Sequence, residues 1–207
     1  MFNKRKDVVV MDRQLTRLES PPEDTRLKNK KKLNNMRLFF TADNHYYHKN
    51  LSIHRDFNSV EEMNELMIDN HNKKITKNDN IYILGDFSFG TVEQTLEILN
   101  RLNGNKFLII GNHDEKMLKS KEVVSKFCWV KDYYKLRYNG LKIILSHYPF
   151  YKWDCSHYGS LMFHGHIHEQ KLDVEIKNLY NVGVDVNCFE PVSLEDILGK
   201  IDYKILK

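Results

Sequence analysis

The sequence is poor in cysteine and contains no long apolar run. Its three cysteines, Cys128, Cys155 and Cys188, form no CxxC pair and no dense framework. That excludes a disulfide-stapled scaffold and favours a reducing compartment in which the thiols are buried. No stretch approaches the roughly 20 apolar residues of a membrane helix, so a membrane bundle is excluded. The basic start, Met1-Phe2-Asn3-Lys4-Arg5-Lys6, is not followed by the roughly 7–15 apolar residues of a secretory signal. A cytoplasmic protein is expected, with no membrane partner. There is no internal repeat, and no linker within residues 36–207.

What is present is an ordinary globular balance. Hydrophobic residues make up 41% and charged residues 29%, which rules out a collagenous or wholly disordered chain. The 207 residues suffice for one domain, or one domain plus an arm.

The net charge of +4 suggests nucleic-acid binding until the charges are located. Residues 1–35 carry ten Lys and Arg against five Asp and Glu, a net of +5; the rest carries 22 against 23, a net of −1. The basicity belongs to an arm. That arm contains Pro21-Pro22, ends in Lys28-Asn29-Lys30-Lys31-Lys32, and has too few large apolar residues to offset ordering entropy. It reads as a flexible extension with a short helix around Val8–Leu18. A phosphate-tracking role toward nucleic acid is the functional alternative. The folded domain is expected over residues 36–207.

From residue 37 the pattern is regular. Arg37–Thr41, Ile81–Leu84 and Phe107–Ile110 read as apolar strands. Ser59-Val60-Glu61-Glu62 and Thr91-Val92-Glu93-Gln94 are capping-box signatures. The first opens a helix with Val60, Met63, Leu66 and Met67 on one face, and the second a helix burying Val92, Leu96, Leu99 and Leu102. The second half is richer in strand: a hairpin through Asn139-Gly140, then Leu161–Phe163 and Leu179–Val184. Ser193 caps a final helix. Continuous apolar strands must be covered on both faces, so a layered α/β domain is expected.

The residues just past each apolar strand carry the chemistry. After Phe40 come Asp43 and His45; after Leu84, Asp86; after Ile110, Asn112, His113 and Asp114; after Leu145, His147; after Phe163, His164, His166 and His168. The carboxyl ends of strands form the ligand crevice of open α/β sheets. Asp43, His45, Asp86, Asn112, His147, His166 and His168 offer a mixed N/O donor set for borderline divalent ions, with manganese preferred and iron, nickel, cobalt or zinc as alternatives. Seven ligands are too many for one ion and suit two sharing a carboxylate. Asp43-x-His45 and His166-x-His168 are expected on extended segments, two ligands to a side. Two such ions about 3.5–4 Å apart would clamp a phosphoryl group and activate a water for in-line attack.

The ordered set DxH, GD, GNHD, H, GHxH, running from about Met36 to Pro191, resembles the calcineurin-like metallophosphoesterase superfamily. Asp43-Asn44-His45-Tyr46-Tyr47-His48-Lys49-Asn50 and Ser146-His147-Tyr148-Pro149 look like its compact bacterial and phage-type branch. The resemblance implies a four-layer αββα sandwich of two mixed β-sheets flanked by helices. It implies that Asp43, His45 and His168 hold one metal, that Asn112, His147 and His166 hold the other, and that Asp86 bridges them. It also implies that a bridging hydroxide attacks phosphorus. His113 would protonate the leaving oxygen, with Asp114 hydrogen-bonded to its ring.

Beyond that set, His48, Asn50 and Arg55 are candidate phosphate contacts, with orientation of a ligand as the alternative for His48. Tyr46 and Tyr148, with Tyr47, Phe150, Tyr151 and Trp153, are candidate stacking residues for a base or aromatic leaving group. The expected partner is a small phosphoester, a mono- or diester and nucleotide-like. The competing readings are a nucleic-acid processing enzyme that uses the arm and a non-catalytic scaffold on the same fold.

Overall fold

A computed structural model describes residues 36–201. The segment 1–35, with the helix expected around Val8–Leu18, lies outside the described residues. The first sheet has the order β4 (Trp129–Lys131), β3 (Asn105–Ile109), β2 (Asn80–Leu84), β1 (Leu38–Thr41), β9 (Val192–Ser193). Strands β1 to β4 run parallel, with Phe40 opposite Tyr82 and Tyr82 opposite Phe107, and β9 is antiparallel to β1. The second sheet has the order β5 (Tyr133–Tyr138), β6 (Leu141–Ser146), β7 (Leu161–His164), β8 (Leu179–Asn181). Its β5–β6 pair is the expected hairpin, while β6, β7 and β8 are parallel. Asn139 (φ 47°) and Gly140 (φ 82°) turn it, both left-handed as a two-residue type I′ loop requires. Both sheets are therefore mixed, and they pack face to face.

Strands β1 and β2 are buried at every position, which explains their unbroken apolar character. Between the sheets, Phe40, Leu84 and Ile109 meet Ile143, Leu145 and Phe163. Phe40 and Phe163 contact edge to face, their centroids 4.8 Å apart. On the other face of the first sheet, Phe39, Ile81, Ile83 and Leu108 pack beneath α2 (Val60–Lys74), α3 (Val92–Arg101) and α5 (Lys121–Ser125). Short helices α1 (Lys49–His54) and α4 (Glu115–Leu118) follow β1 and β3, and α6 (Leu194–Lys200) inserts Leu194 and Ile197 into the inter-sheet core.

Several local expectations change. The box at α3 is reciprocal: the Thr91 hydroxyl accepts from Gln94 N–H, and the Gln94 side chain accepts from Thr91 N–H. At α2 the Ser59 side chain accepts from Glu62 N–H, but Glu62 reaches back to Asn58 instead. Val60, Met63 and Met67 are buried there together with Ile68, whereas Leu66 faces solvent. The strand expected through Val184 stops at Asn181 because asparagine side chains replace its ladder. Asn181 Oδ1 accepts from Gly183 N–H at 2.8 Å, and the Asn187 amide donates to the Asn181 and Gly183 carbonyls; such local bonds compete with strand pairing. The cysteines are free, with Cys128 and Cys188 exposed and Cys155 half-buried, contrary to the buried thiols expected.

The outer face of the second sheet is covered differently. Ile144 and Met162 lie under Trp153, with Phe150 and Ile176 alongside. This cover is irregular chain with one 3₁₀ turn, Ser156–Tyr158. Among the described residues no helix is long and apolar enough to cross a membrane.

Entry to β1 is held by Asp79, whose carboxylate accepts from the Arg37 guanidinium at 2.7 Å and from Thr76 N–H and hydroxyl at 2.8 and 2.7 Å. Burial pushes the Asp79 carboxyl up, but Arg37 and Thr76 outweigh it and hold it at about 2. A depressed carboxyl stabilises the fold above its unfolded pKa of roughly 3.9, and that contribution disappears as pH falls through the folded value. Urea unfolding between pH 5 and 2 should therefore show a steeper acid loss for the parent than for Asp79→Asn; parallel profiles would remove this role. Phe163→Ala, which opens the inter-sheet contact, should cost about 3–5 kcal/mol by urea unfolding. A cost under about 1 kcal/mol would show that this pair does not hold the sheets together.

Candidate metal and active site

Strands β1, β2, β3, β6 and β7 each deliver polar side chains from the same end of the sandwich. Asp43 N–H donates to the Gly85 carbonyl at 3.0 Å and His45 N–H to the Asp86 carbonyl at 2.9 Å, which ties the β1 and β2 exits together. Gly165 N–H donates to the His147 carbonyl at 2.9 Å and ties β7 to β6. His166 N–H donates to both oxygens of Asp43, at 3.0 and 2.9 Å, and so joins the two sheets at the site.

The exits are not extended, contrary to the period-two expectation. Asp43, His45, Asp86, His166 and His168 have φ of 57°, 52°, 57°, 73° and 49°. Left-handed non-glycine residues cost of order 1–3 kcal/mol each and persist only where the surroundings fix them. The chain turns sharply at each donor, so the donors point inward although neighbouring side chains do not. Gly165 makes room for this: a Cβ there would lie 2.6 Å from Asp43 Oδ2. A Cβ at Gly111 would overlap the Asp86 carboxylate.

Five of the seven sequence-predicted ligands fall into two overlapping groups. The donor atoms of Asp43, His45 and His168 lie within 4.8 Å of one another, as do those of Asp43, Asp86 and His147. Asp86 Oδ2 is 3.8 Å from His45 Nε2 and 3.5 Å from His147 Nε2. The other two ligands adjoin the second group: Asn112 Oδ1 is 2.9 Å from His147 Nε2 and 3.0 Å from His166 Nδ1.

The partners set the tautomers. His147 Nδ1 donates to the Leu84 carbonyl at 2.7 Å and His168 Nδ1 to Asp185 Oδ2 at 2.7 Å, leaving each Nε2 as a lone pair. His45 is 3% exposed, and both its ring nitrogens are buried without a partner. Burial, then the Arg55 guanidinium, pushes this imidazole down to about 2, so it is neutral. Burial pushes the Asp43 carboxyl up to about 6, and the hydrogen bond that His168 donates to Asp185 raises the His168 imidazole. An orphaned neutral imidazole beside buried carboxylates and an amide oxygen fits divalent cations, which would satisfy His45 and reverse the shift at Asp43.

The remaining predicted residues separate. His113 is exposed; its N–H donates to Asp86 Oδ1 at 2.9 Å, and its ring lies 5.9 Å from that of His45 and 4.9 Å from Phe89. Asp114 does not bond the His113 ring. Its fully buried carboxylate accepts from the N–H groups of Asp86, Phe87 and Gly111 at 2.8–2.9 Å, which locks the β2 and β3 exits. His48 caps α1, its Nδ1 accepting from Leu51 N–H at 3.1 Å, and packs on Phe89. Tyr46 is not a substrate contact: at 1% exposure it is core. Tyr148 remains at the rim, its ring 4.6 Å from that of His166 and 5.0 Å from that of His147.

Arg55 is engaged by protein groups. It pairs with Asp185 through Nε and Nη2 at 2.7 and 2.8 Å and donates to the Asp43 and Asn44 carbonyls at 2.8 and 3.1 Å. Asp185, which no sequence motif picked out, thus orients His168 while Arg55 fixes both Asp185 and the Asp43 turn. No local signal could have marked Asp185, which lies 130 residues from Arg55.

Loss of such an orienting partner typically costs 10–100-fold in metal affinity. Asp185→Asn should bind a divalent ion such as Mn²⁺ at least about tenfold more weakly by metal titration. Parental affinity in that variant would exclude the orienting role.

The chain is 31% identical over 175 residues to an uncharacterized protein of Methanocaldococcus jannaschii, across 80% of this chain and 92% of that one. It is 29% identical over 178 residues to the Gene 66 protein of Mycobacterium phage D29, across 73% and 88% of the two chains. The crystal structure of a protein of unknown function from Aquifex aeolicus superposes with a TM-score of 0.65 at 26% identity, covering 81% of this chain and all of that one. The model of the calcineurin-like phosphoesterase family matches residues 36–170, a span that contains every donor described above, and the chain belongs to that family.

Proposed function

We propose that the protein is a metal-dependent phosphoesterase with two adjoining cation positions, acting on phosphodiesters or phosphomonoesters. The observation that carries this reading is the sharing of Asp86 Oδ2 between His45 on one side and His147 on the other. Asp43, His45 and His168 would hold one ion, Asn112, His147 and His166 the other, and Asp86 both. When bound, such ions acidify water and neutralise charge on a phosphoryl group.

The protein's own residues supply the rest. Asp185 and the Leu84 carbonyl hold the protons of His168 and His147 on Nδ1, so that neither Nε2 needs to lose one. Asp86 anchors His113 through its backbone and leaves its ring free at the exposed mouth of the site. As water oxygen bonds to phosphorus and the ester P–O bond breaks, a ring nitrogen of His113 gives its proton to the departing oxygen. The proton lost by water passes to solvent. Asn112 and His113 are exposed, which suits small or flexible substrates.

The test is hydrolysis of bis-p-nitrophenyl phosphate and p-nitrophenyl phosphate by metal-stripped protein reloaded with Mn²⁺. Activity on either ester is expected, and none on both with two ions bound would overturn the reading. His113→Ala should retain both ions and lose about 10²–10⁴-fold in kcat on the hydrolysed ester. Parental turnover in that variant would exclude the proton-donor role.

A further inference from the structure

We infer that the outer face of the second sheet, with the loop after His147, binds single-stranded nucleic acid and leads it to the site. This inference rests on the phosphoesterase reading and narrows its substrate class.

The loop from Tyr148 to Ser160 presents three large rings to water: Tyr148 is 43% exposed, Tyr151 71% and Tyr158 77%. Its backbone is anchored. Trp153 is buried, and its indole N–H donates to the Ser160 carbonyl and hydroxyl at 3.2 and 3.0 Å. The Ser160 hydroxyl donates to the Asp154 carbonyl at 2.6 Å, and Phe150 stacks on Tyr133. Of the aromatic residues near the ligands in sequence, Tyr46 and Trp153 are core, Tyr47 and Phe150 are partly buried, and these three tyrosines stand out. Rings held out by a fixed backbone bind with little further ordering cost.

Position and charge identify the occupant. Tyr148 touches the His147 and His166 rings at the donor end of β6. At the other end, Lys142 contacts Cys155 Sγ at 2.8 Å, just before the turn that carries Tyr158. The loop therefore descends the length of β6, about 13 Å at strand rise, and its tyrosines begin at the metal donors. Lys135 and Arg137 of β5 and Lys142 of β6 project from this same face, since their neighbours Tyr134, Leu136, Leu141 and Ile143 point into the inter-sheet core. Lys152 lies in the loop. Asp154 is paired with Lys135 and Lys142 at 3.0 and 3.7 Å. The segment 169–177 beyond β7 carries three acids against two lysines, so the cationic excess lies beside the tyrosines.

Exposed rings interleaved with lysines suit a flexible polyanion whose bases are free to stack, and a duplex offers no free base faces. A mononucleotide would reach Tyr148 alone. The basic residues 1–35 are not required by this surface.

The test uses the full chain and a fluorescein-labelled oligothymidylate of about 15 nucleotides, near the upper end of single-fold site sizes, read by fluorescence anisotropy. The parent should bind it with affinity that falls steeply with salt. Tyr151→Ala/Tyr158→Ala should weaken binding by about tenfold or more, Tyr151→Phe/Tyr158→Phe should restore it, and hydrolysis of bis-p-nitrophenyl phosphate should stay unchanged in both. Equal oligonucleotide affinity in the parent and the alanine variant would overturn the inference and assign any binding to another surface. Absence of binding by the parent at low salt would also overturn it. So would a parallel loss of small-diester hydrolysis, which would make the loop merely structural. Failure of the parent to hydrolyse any small ester would count against the phosphoesterase reading alone, because anisotropy reports the surface independently.

Discussion

The structure turns on negative charge kept out of water. Asp43, Asp86 and Asp114 are 0%, 2% and 0% exposed, and a buried carboxylate is tolerated only where donors or cations surround it. Each meets this demand with backbone N–H groups at the strand exits. Asp43 takes His166 and joins the sheets, Asp86 takes His113, and Asp114 takes Asp86, Phe87 and Gly111. The carboxylates therefore tie the strand ends together at the site. Convergence of the strand ends and compatibility with divalent ions have one physical cause.

The two sides of the site are supported differently. His168 relies on an Asp185–Arg55 pair whose side chains are each 4% exposed, whereas His147 relies on a main-chain carbonyl of β2. A buried ion pair is sensitive to loss of either partner, and a carbonyl within a strand cannot be removed by substitution. The position nearer Asp185 is thus the one that side-chain chemistry can adjust.

The layered α/β fold, and the convergence of polar side chains at its strand ends, were legible because apolar runs halted by Asp, Asn or His are a strong local signal. The conformation of those exits was not legible. Period-two alternation assumes extended backbone, and left-handed steps at Asp43, His45 and His168 cancel it; hence Tyr46, placed by sequence beside a donor, is core. Asp114 was misassigned because the resemblance placed it on the His113 ring, while three backbone amides claim its oxygens. Asp185 and Arg55 meet only through the tertiary fold. Leu66 fits the helical spacing of its neighbours but lies at the margin of the buried stripe. The cover over the second sheet has no periodicity and so left no mark to read.

That cover has a mechanical consequence. Helices packed on a sheet are bound by ridge-and-groove registry, and a changed residue count rotates everything after it. The layer over Ile144 and Met162 is pinned by side chains, Trp153 on Ser160, Phe150 on Tyr133 and Asp154 on Lys135, so the stretches between those pins can change in length or composition without displacing β6 or β7. Five of the donor positions have no such latitude, because Asp43, His45, Asp86, His166 and His168 each sit on a left-handed step. The protein pairs a stiff anvil with an adjustable jaw, and the jaw could be recut without disturbing the anvil.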